Sequence, residues 1–284
     1  MPRSMVRLSE NLRRGDGTGV TLAKLGAQVS SAGAIGQDAL GDALLSMLAA
    51  AGVDTALLVR RAEMQTSASV LPIRPDGSRP AFHVIGANAA YTSADAPWDA
   101  IAQAGYLHLG APEFMGGEEA ARILRHARAH GTVTSADLLV PGDQAAHVLD
   151  WIGAALSELD YLLPNAEQVR GLTGTTDLEA GCGALRAHGV GCVAVTDGGR
   201  GALVVDASGA ERVPAFAVDV VDTTGCGDAF SAGFLRGVSL GLGHTEAARL
   251  GCATAALVAG GLGSDHGHFG LADVQQLAAV GAAR

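Results

Sequence analysis

A chain of 284 residues with 48% hydrophobic residues, 40 glycines and no low-complexity block can bury a large core, which excludes a disordered protein and makes one α/β domain the default. The formal net charge of −10 excludes a nucleic-acid groove, because tracking phosphates requires clustered Lys and Arg. Apolar runs such as Ala253 to Ala259 are too short to span a bilayer, and the N-terminal segment has no apolar signal core, so a cytoplasmic protein with no membrane partner is expected.

From Gln28 onward, short apolar runs alternate with helical patterns, as in a parallel sheet covered by helices. Val29 to Ala34 reads as the first buried strand, and Leu40, Leu44, Leu45 and Leu48 mark a helical stripe after it. The stretch TSASVLPIRPDGSRPAFHVIGANAAY breaks the rhythm: apolar and polar residues alternate on both sides of a Pro-Asp-Gly-Ser turn, which predicts a hairpin. Two strands cannot bury a core alone, so the hairpin lies over the main domain or pairs with a partner's hairpin. A lid over a cleft and a structural excursion both remain open. Strands follow at Ala104 to Leu109, Gly131 to Ala136, Leu159 to Leu163 and Val190 to Thr196, with a helix marked by Ala121, Leu124, Arg125 and Arg128 between the first two.

Cys182, Cys192, Cys226 and Cys252 are widely spaced, with no CxxC pair, so buried reduced thiols are expected rather than zinc or disulfides. Lys24 is the single lysine among the 19 basic residues, so a catalytic lysine is excluded unless Lys24 supplies it.

The stretch VVDTTGCGDAFSAGF carries the chemistry. Val218, Val220 and Val221 have strand character, while Ala229, Phe230, Gly233 and Phe234 open a helical stripe, so Thr223 to Gly227 is the turn between them. A turn entering a helix offers free N–H groups backed by the positive end of the helix dipole, an anion site. Gly225 and Gly227 permit close approach, and Thr223 and Thr224 add hydroxyls. Asp228 then either takes a proton from a nucleophile attacking a phosphate or simply caps the helix, and the motif alone leaves the two even.

DTTGCGDAF resembles the C-terminal signature of the ribokinase or PfkB-type carbohydrate kinases, Asp-Thr-x-Gly-Ala-Gly-Asp, with Cys226 in place of alanine. The resemblance implies a three-layer α/β/α ribokinase-like fold with a small β-lid, a single kinase domain over residues 1–284 and a lid hairpin at about 66–85. It makes Asp228 the general base, with the N–H groups of Gly225, Cys226 and Gly227 cradling the γ-phosphoryl group. LAKLGAQVSSAGAIGQDALGDALLSMLAAAGVDT is similar to the family's N-terminal region; Asp38 in its Gly-x-Asp-x-x-Gly turn reads best as a helix N-cap. LLPNAEQVRGLTG resembles the Asn-x-x-Glu segment that organises Mg²⁺ through water, and VAVTDGGRGALVV the nucleotide-side strand and turn. Asn165, Thr196, Gly198 and Gly201, with Thr223 and Thr224, are thereby assigned to ATP, although glycines after a strand also mark ordinary hairpins.

Two departures stand out. Where the family has its glutamate this chain has Gln168, with Glu167 one residue earlier and about 100° away around the helix, so the water-mediated shell of Asn165, Glu167 and Gln168 is altered. Mg²⁺ is still expected, because no lysine is placed to neutralise a triphosphate. The second departure is the start, MPRSMVRLSENLRRGDGTGVTLAKLG. It lacks the family's Asp-bearing strand and Gly-Gly-x-x-x-Asn loop, so the usual N-terminal strand is expected to be missing, through a shortened start or true divergence. The family's asparagine falls on Gly17, with Asp16 as the nearest polar substitute.

His83, Asn88, His108 and Asp137 lie near strand ends, where open α/β sheets bind ligands; each alone reads as a structural polar residue, and Asn88 is the best substrate-side candidate. His266 and His268 read as solvated rather than metal-binding. The expectation is ATP-dependent phosphorylation of a sugar or nucleoside hydroxyl, with ATP, Mg²⁺ and optionally a monovalent cation as cofactors, by a homodimer paired through its lids. The competing reading is a catalytically impaired or regulatory ligand-binding relative, motivated by the altered start and Gln168.

Overall fold

The protein is described by a computed structural model over residues 5–9, 12–70, 82–139 and 147–280, with the backbone alone for 5–9 and 12–16. Along the chain run β1 (Met5–Ser9), α1 (Leu12–Lys24), β2 (Val29–Gly36), α2 (Ala39–Ala50), β3 (Asp54–Arg61), β4 (Ala68–Val70), β5 (Phe82–Val84), α3 (Trp98–Gln103), β6 (Tyr106–Gly110), α4 (Gly117–Ala129) and β7 (Val133–Asp137). There follow α5 (Val148–Leu156), β8 (Tyr161–Leu162), α6 (Ala166–Thr173), α7 (Leu178–Ala187), β9 (Cys192–Thr196), β10 (Ala202–Asp206), β11 (Gly209–Val213), α8 (Cys226–Ser239), α9 (His244–Ala259) and α10 (Leu271–Val280).

Nine strands form one sheet in the order β11-β10-β9-β8-β7-β6-β1-β2-β3, and β4 pairs with β5 in a separate two-stranded sheet. From β3 to β9 all pairings are parallel, while β10 is antiparallel to both β9 and β11. The strand order reverses between β1 and β6, and ligands of open α/β sheets bind beyond the carboxyl ends at such a point.

Both faces of the sheet are covered, and the strand sequences show why. In β9, Cys192 and Ala194 join one core while Val193 and Val195 join the other; in β10, Ala202 and Val204 divide from Leu203 and Val205 in the same way. A period of two with apolar residues on both sides needs a helical layer above and below. One core gathers Ile101, Leu107, Ile123 and Leu124 under α3 and α4. The other gathers Leu22, Leu48, Phe230 and Phe234 from α1, α2 and α8, with Leu25 just after α1. Fully burying side chains such as Phe230 and Phe234 contributes roughly 1.5–3 kcal/mol each. The result is the expected α/β/α sandwich.

Two expectations are corrected. Met5–Ser9 is a strand, parallel to β2 on one side and β6 on the other, with Met5 opposite both Val29 and Tyr106, so an N-terminal strand stands in mid-sheet. MVRLS holds only three apolar residues, too few to register as a period, and its order comes from ladders on both sides. Val218 to Val221, expected as a strand, is irregular, and Val218, Val220 and Val221 are exposed. The edge strand β3, not anticipated, ends in Arg60 and Arg61; its apolar run Ala56 to Val59 is half-buried from Leu57 onward, with Leu57 and Val59 against one core and Leu58 against the other.

The expected hairpin is present as β4 and β5, with Ala68 opposite Val84 and Val70 opposite Phe82. Its Pro-Asp-Gly-Ser turn, with Leu71 and Ile73, lies outside the described residues. Its root is anchored by Asp38. That carboxylate caps α2 by accepting from Gly41 N–H at 2.8 Å, and it also accepts from the N–H and hydroxyl of Thr66 at 2.7 and 2.6 Å. The Thr66 bonds hold the Asp38 carboxyl below the usual carboxylate range.

Candidate active site

The site begins where α8 begins. Gly225 is the N-cap, at φ +81°, and a Cβ there would overlap the backbone of Ser264, so both its conformation and its packing require glycine. Asp222 shapes the approach: its Oδ1 accepts from the N–H and hydroxyl of Thr224 at 2.9 and 2.8 Å, and its Oδ2 accepts from Gly263 N–H at 3.4 Å. The Val221 N–H donates to Ala259 O at 2.9 Å, tying the strand-like valines to the end of α9 instead of to the sheet.

The helix starts at Cys226, earlier than its apolar stripe suggests, so Cys226, Gly227 and Asp228 form its first turn. The Cys226 N–H closes the preceding turn on Thr223 O at 3.3 Å. A Cβ on Gly227 would meet nothing within 4 Å, so the space beside that residue is open. Helix N–H groups in a first turn have no carbonyl partner within the helix. Thr223 is exposed and Thr224 half-buried on its approach.

Asp228 is the third residue of α8 and 5% exposed. Thr18 on α1 donates its hydroxyl to Asp228 Oδ1 at 3.0 Å. Gly17 lies against the same carboxylate: a Cβ there would stand 2.9 Å from the carboxyl carbon and from Oδ2. Sequence reasoning missed Thr18 and gave Gly17 only as the position of the family's asparagine; the further signal was the run Gly-x-Gly-Thr-Gly, which here lies inside a helix, where glycine is otherwise unfavourable. Asp16 also lies on α1, but its side chain is outside the described residues.

The residues assigned to ATP form a second group. Asn165, beyond β8, and Thr196, the last residue of β9, are bridged in parallel, and Thr196 N–H donates to Pro164 O at 3.0 Å. Asp197 to Gly201 turns β9 back into antiparallel β10, with Arg200 clamped on Asp197 at 2.6 and 2.8 Å. That clamp is the main reason why the Asp197 carboxyl sits below its ordinary value. Gly201 is fixed by the turn itself: its φ is +91° and a Cβ would overlap the Val213 carbonyl. Gly198 has φ +56° and open space around it.

The residues assigned to the metal shell are arranged differently from the expectation. Asn165 and Gln168 form a reciprocal capping box on α6, each side chain accepting the other's backbone N–H at 2.9 Å. The Gln168 amide also donates to Leu138 O at 2.8 Å, so its carbonyl and amide groups both hold structure. Glu167, between them, is exposed.

Asn88 belongs to a third group, at the root of the hairpin. It is 3% exposed in a short 3-10 turn, and its amide donates to Ser67 Oγ at 3.0 Å. Its Oδ1 is buried with no hydrogen-bond partner among the described residues. His108, expected near a strand end, is buried in the middle of β6, where it pairs with Ser135 Oγ of β7 at 2.9 Å and lies 3.7 Å from Asp137 at the end of β7. His266 and His268 are exposed, as expected. Cys182, Cys192 and Cys252 are buried free thiols and Cys226 is a half-buried one. No helix among the described residues is long and apolar enough to cross a membrane.

Known proteins resemble this chain in sequence and in fold. A nucleoside kinase of Methanothermobacter thermautotrophicus is 26% identical over 258 residues, covering 89% of this chain and 80% of its own. A cytidine kinase of Thermococcus kodakarensis is 36% identical over 104 residues, covering 36% of this chain and 37% of its own. Among solved structures, Arabidopsis thaliana ribokinase complexed with ribose and ATP aligns with TM-score 0.86 at 21% identity, over 98% of this chain and 99% of that one. An E. coli protein assigned to ribokinase II, in complex with ATP and Mg²⁺, aligns with TM-score 0.85 at 19% identity, over 98% and 100%. At those identities the solved structures speak for the fold. The profile described as pfkB family carbohydrate kinase matches residues 15–267, and the chain belongs to that family.

Proposed function

We propose that this protein is an ATP-dependent kinase, a single domain acting in the cytoplasm, that phosphorylates a hydroxyl of a sugar or nucleoside. The observation that carries the reading is the position of Asp228: a buried carboxylate in the first turn of a helix, next to the open space beside Gly227, held by a hydroxyl from a second helix. A merely capping aspartate needs neither burial nor Thr18.

In the proposed reaction Asp228 accepts the proton of the acceptor hydroxyl as that oxygen attacks. The N–H groups of Gly225 and Gly227, with Cys226 partly engaged by Thr223, face the transferred phosphoryl group, where negative charge develops. Thr223, Thr224, Asn165, Thr196 and the Gly198 turn hold the rest of the nucleotide. The Asn88 acceptor and Asp16 serve the acceptor substrate, and the β4–β5 hairpin is a lid that excludes water.

Mg²⁺ fits this donor set through Glu167, water and the phosphates themselves, because it binds through one or two carboxylates and keeps several waters. When bound it would neutralise phosphate charge. Gln168 and Asn165 take part only through the capping box. A monovalent cation fits less well: beside the anion turn, the carbonyl oxygens of Asp265 and Gly267 already receive the Lys24 ammonium.

The lid hairpin exposes Val70 and Phe82 at 66% and 67%, with Val84 and Ile85 also open, which supports a homodimer joined through the lids. Light scattering at micromolar concentration tests it, and a monomer mass would reject it. For the activity, a panel of sugars and nucleosides read by coupled ADP release, with Asp228→Asn as the control, gives Asp228-dependent turnover of at least one acceptor if the reading holds. ADP release that is unchanged in the variant would overturn it.

A further inference from the structure

The chain has one lysine, and its position is unusual. Lys24 closes α1, and its ammonium donates to the backbone carbonyls of Asp265 and, at 3.1 Å, Gly267. It also lies 3.6 Å from the Asp265 carboxylate and 5.3 Å from the centre of the Phe269 ring. Its side chain is only 21% exposed. A compact ammonium with three donors suits convergent oxygens and an aromatic face, whereas a planar guanidinium distributes its donors in a rigid fork. In a chain that uses arginine everywhere else, this is the one place where that difference matters.

The loop that Lys24 grips is the wall behind the anion turn. Ser264, adjacent to Asp265, is the residue whose backbone a Cβ on Gly225 would overlap, and Gly263 N–H reaches Asp222 Oδ2 at 3.4 Å. The loop has little stiffness of its own: Gly260, Gly261, Gly263 and Gly267 lie within it, with Gly263 and Gly267 at φ +100° and +92°. Its shape therefore depends on what holds it from outside. The same helix that ends in Lys24 carries Thr18, bonded to Asp228. One rigid element thus holds both the base and the wall against which the phosphate-facing turn rests.

We infer that Lys24 is a positioning residue for phosphoryl transfer: a built-in cation that pins the 263–267 loop against Gly225 and keeps the turn's N–H groups aimed, so that the enzyme needs no dissolved monovalent cation there. The inference rests on the kinase reading above. A misplacement of about 1 Å can cost ~10²-fold in rate, so Lys24→Met is expected to lower kcat by roughly 10- to 100-fold with little change in the KM of the acceptor. Lys24→Arg does not restore it. Lys24→Ala recovers part of the rate, saturably, with added ethylammonium.

Two measurements separate this role from a general loss of fold and from failure of the kinase assignment. Hydrogen exchange of the amides from 259 to 267 is expected to speed up in Lys24→Met and Lys24→Ala, and to slow again with ethylammonium, whether or not an acceptor is turned over. Wild-type kcat is expected to be equal in potassium chloride and choline chloride at one ionic strength, a comparison that needs no variant. The inference is overturned by wild-type kcat in Lys24→Met, by unchanged loop exchange in the Lys24 variants, or by a strict potassium requirement of the wild-type enzyme. Absence of any turnover in the wild type, with the exchange effect intact, would instead refute the kinase reading.

Discussion

Thr18 and Asp228, 210 residues apart, meet at 3.0 Å with the threonine hydroxyl donating to the carboxylate. The bond holds the carboxylate in one orientation and leaves its second oxygen, Oδ2, beside Gly17. Asp228→Asn is expected to lower kcat by roughly 10²–10⁴-fold, the usual worth of a positioned base, with ATP affinity nearly unchanged. Thr18→Val removes a hydrogen bond to a charged group, worth about 1.5–3 kcal/mol, so a fall in kcat of about tenfold or more is expected, with Thr18→Ser restoring most of it. Coupled ADP release against ATP and acceptor concentration resolves both.

The two glycines of the turn proposed to hold phosphate should fail differently. Gly225→Ala meets a positive φ and the Ser264 backbone together, so it lowers thermal stability as well as activity. Gly227 faces open space, so Gly227→Val folds normally but fills the volume assigned to phosphate, raising the KM for ATP. Melting curves beside ATP titrations distinguish them, and a stability loss in Gly227→Val equal to that of Gly225→Ala would contradict the assignment.

The helix that carries the turn is seated through small residues. A Cβ on Gly233 would stand 2.8 Å from the Gly251 Cα of α9, and one on Gly237 would stand 2.7 Å from the Ala247 Cα. Gly233→Ala therefore overpacks two backbones and is expected to cost about 1–3 kcal/mol, measured as a shift in urea midpoint with unchanged slope.

Away from the site, Asp206 accepts from the Ser208 hydroxyl and from its N–H, the latter at 2.7 Å, and pairs with His244 at the start of α9. These contacts, the Ser208 hydroxyl first, lower the Asp206 carboxyl to about 2. A folded-state value below the unfolded one means that its stabilisation is present above the ordinary carboxylate range, near 3.8, and is lost as pH falls through about 2. The stability gap between wild type and Asp206→Asn is therefore expected to close over that acid window and to stay constant from pH 5 to 6. Denaturant midpoints across the range would show it, and a gap that widened toward acid would reverse the sign argued here.

By itself the sequence determined the layered architecture and the turn that leads into α8, because both are written locally: continuous apolar runs in β9 and β10 that fill both faces of a sheet, and glycines just before a helical stripe. Even there, short range set limits. The apolar stripe put the start of α8 at Ala229, whereas the first turn begins at Cys226, because N-terminal helix residues need not be apolar to be helical. MVRLS was too short and too mixed to announce a strand that neighbours on both sides complete. Only the tertiary structure decided what surrounds Asp228. Thr18 and Gly17 are ordinary residues until α1 packs on α8, Gln168 reads as a metal-shell residue until its amide is seen closing a capping box, and Lys24 is an unremarkable helix end until the loop after α9 folds onto it. Local conformation follows from steric and hydrogen-bonding rules within a few residues, but the partner of a polar side chain hundreds of residues away is chosen by how helices stack, and no period in the chain encodes that choice.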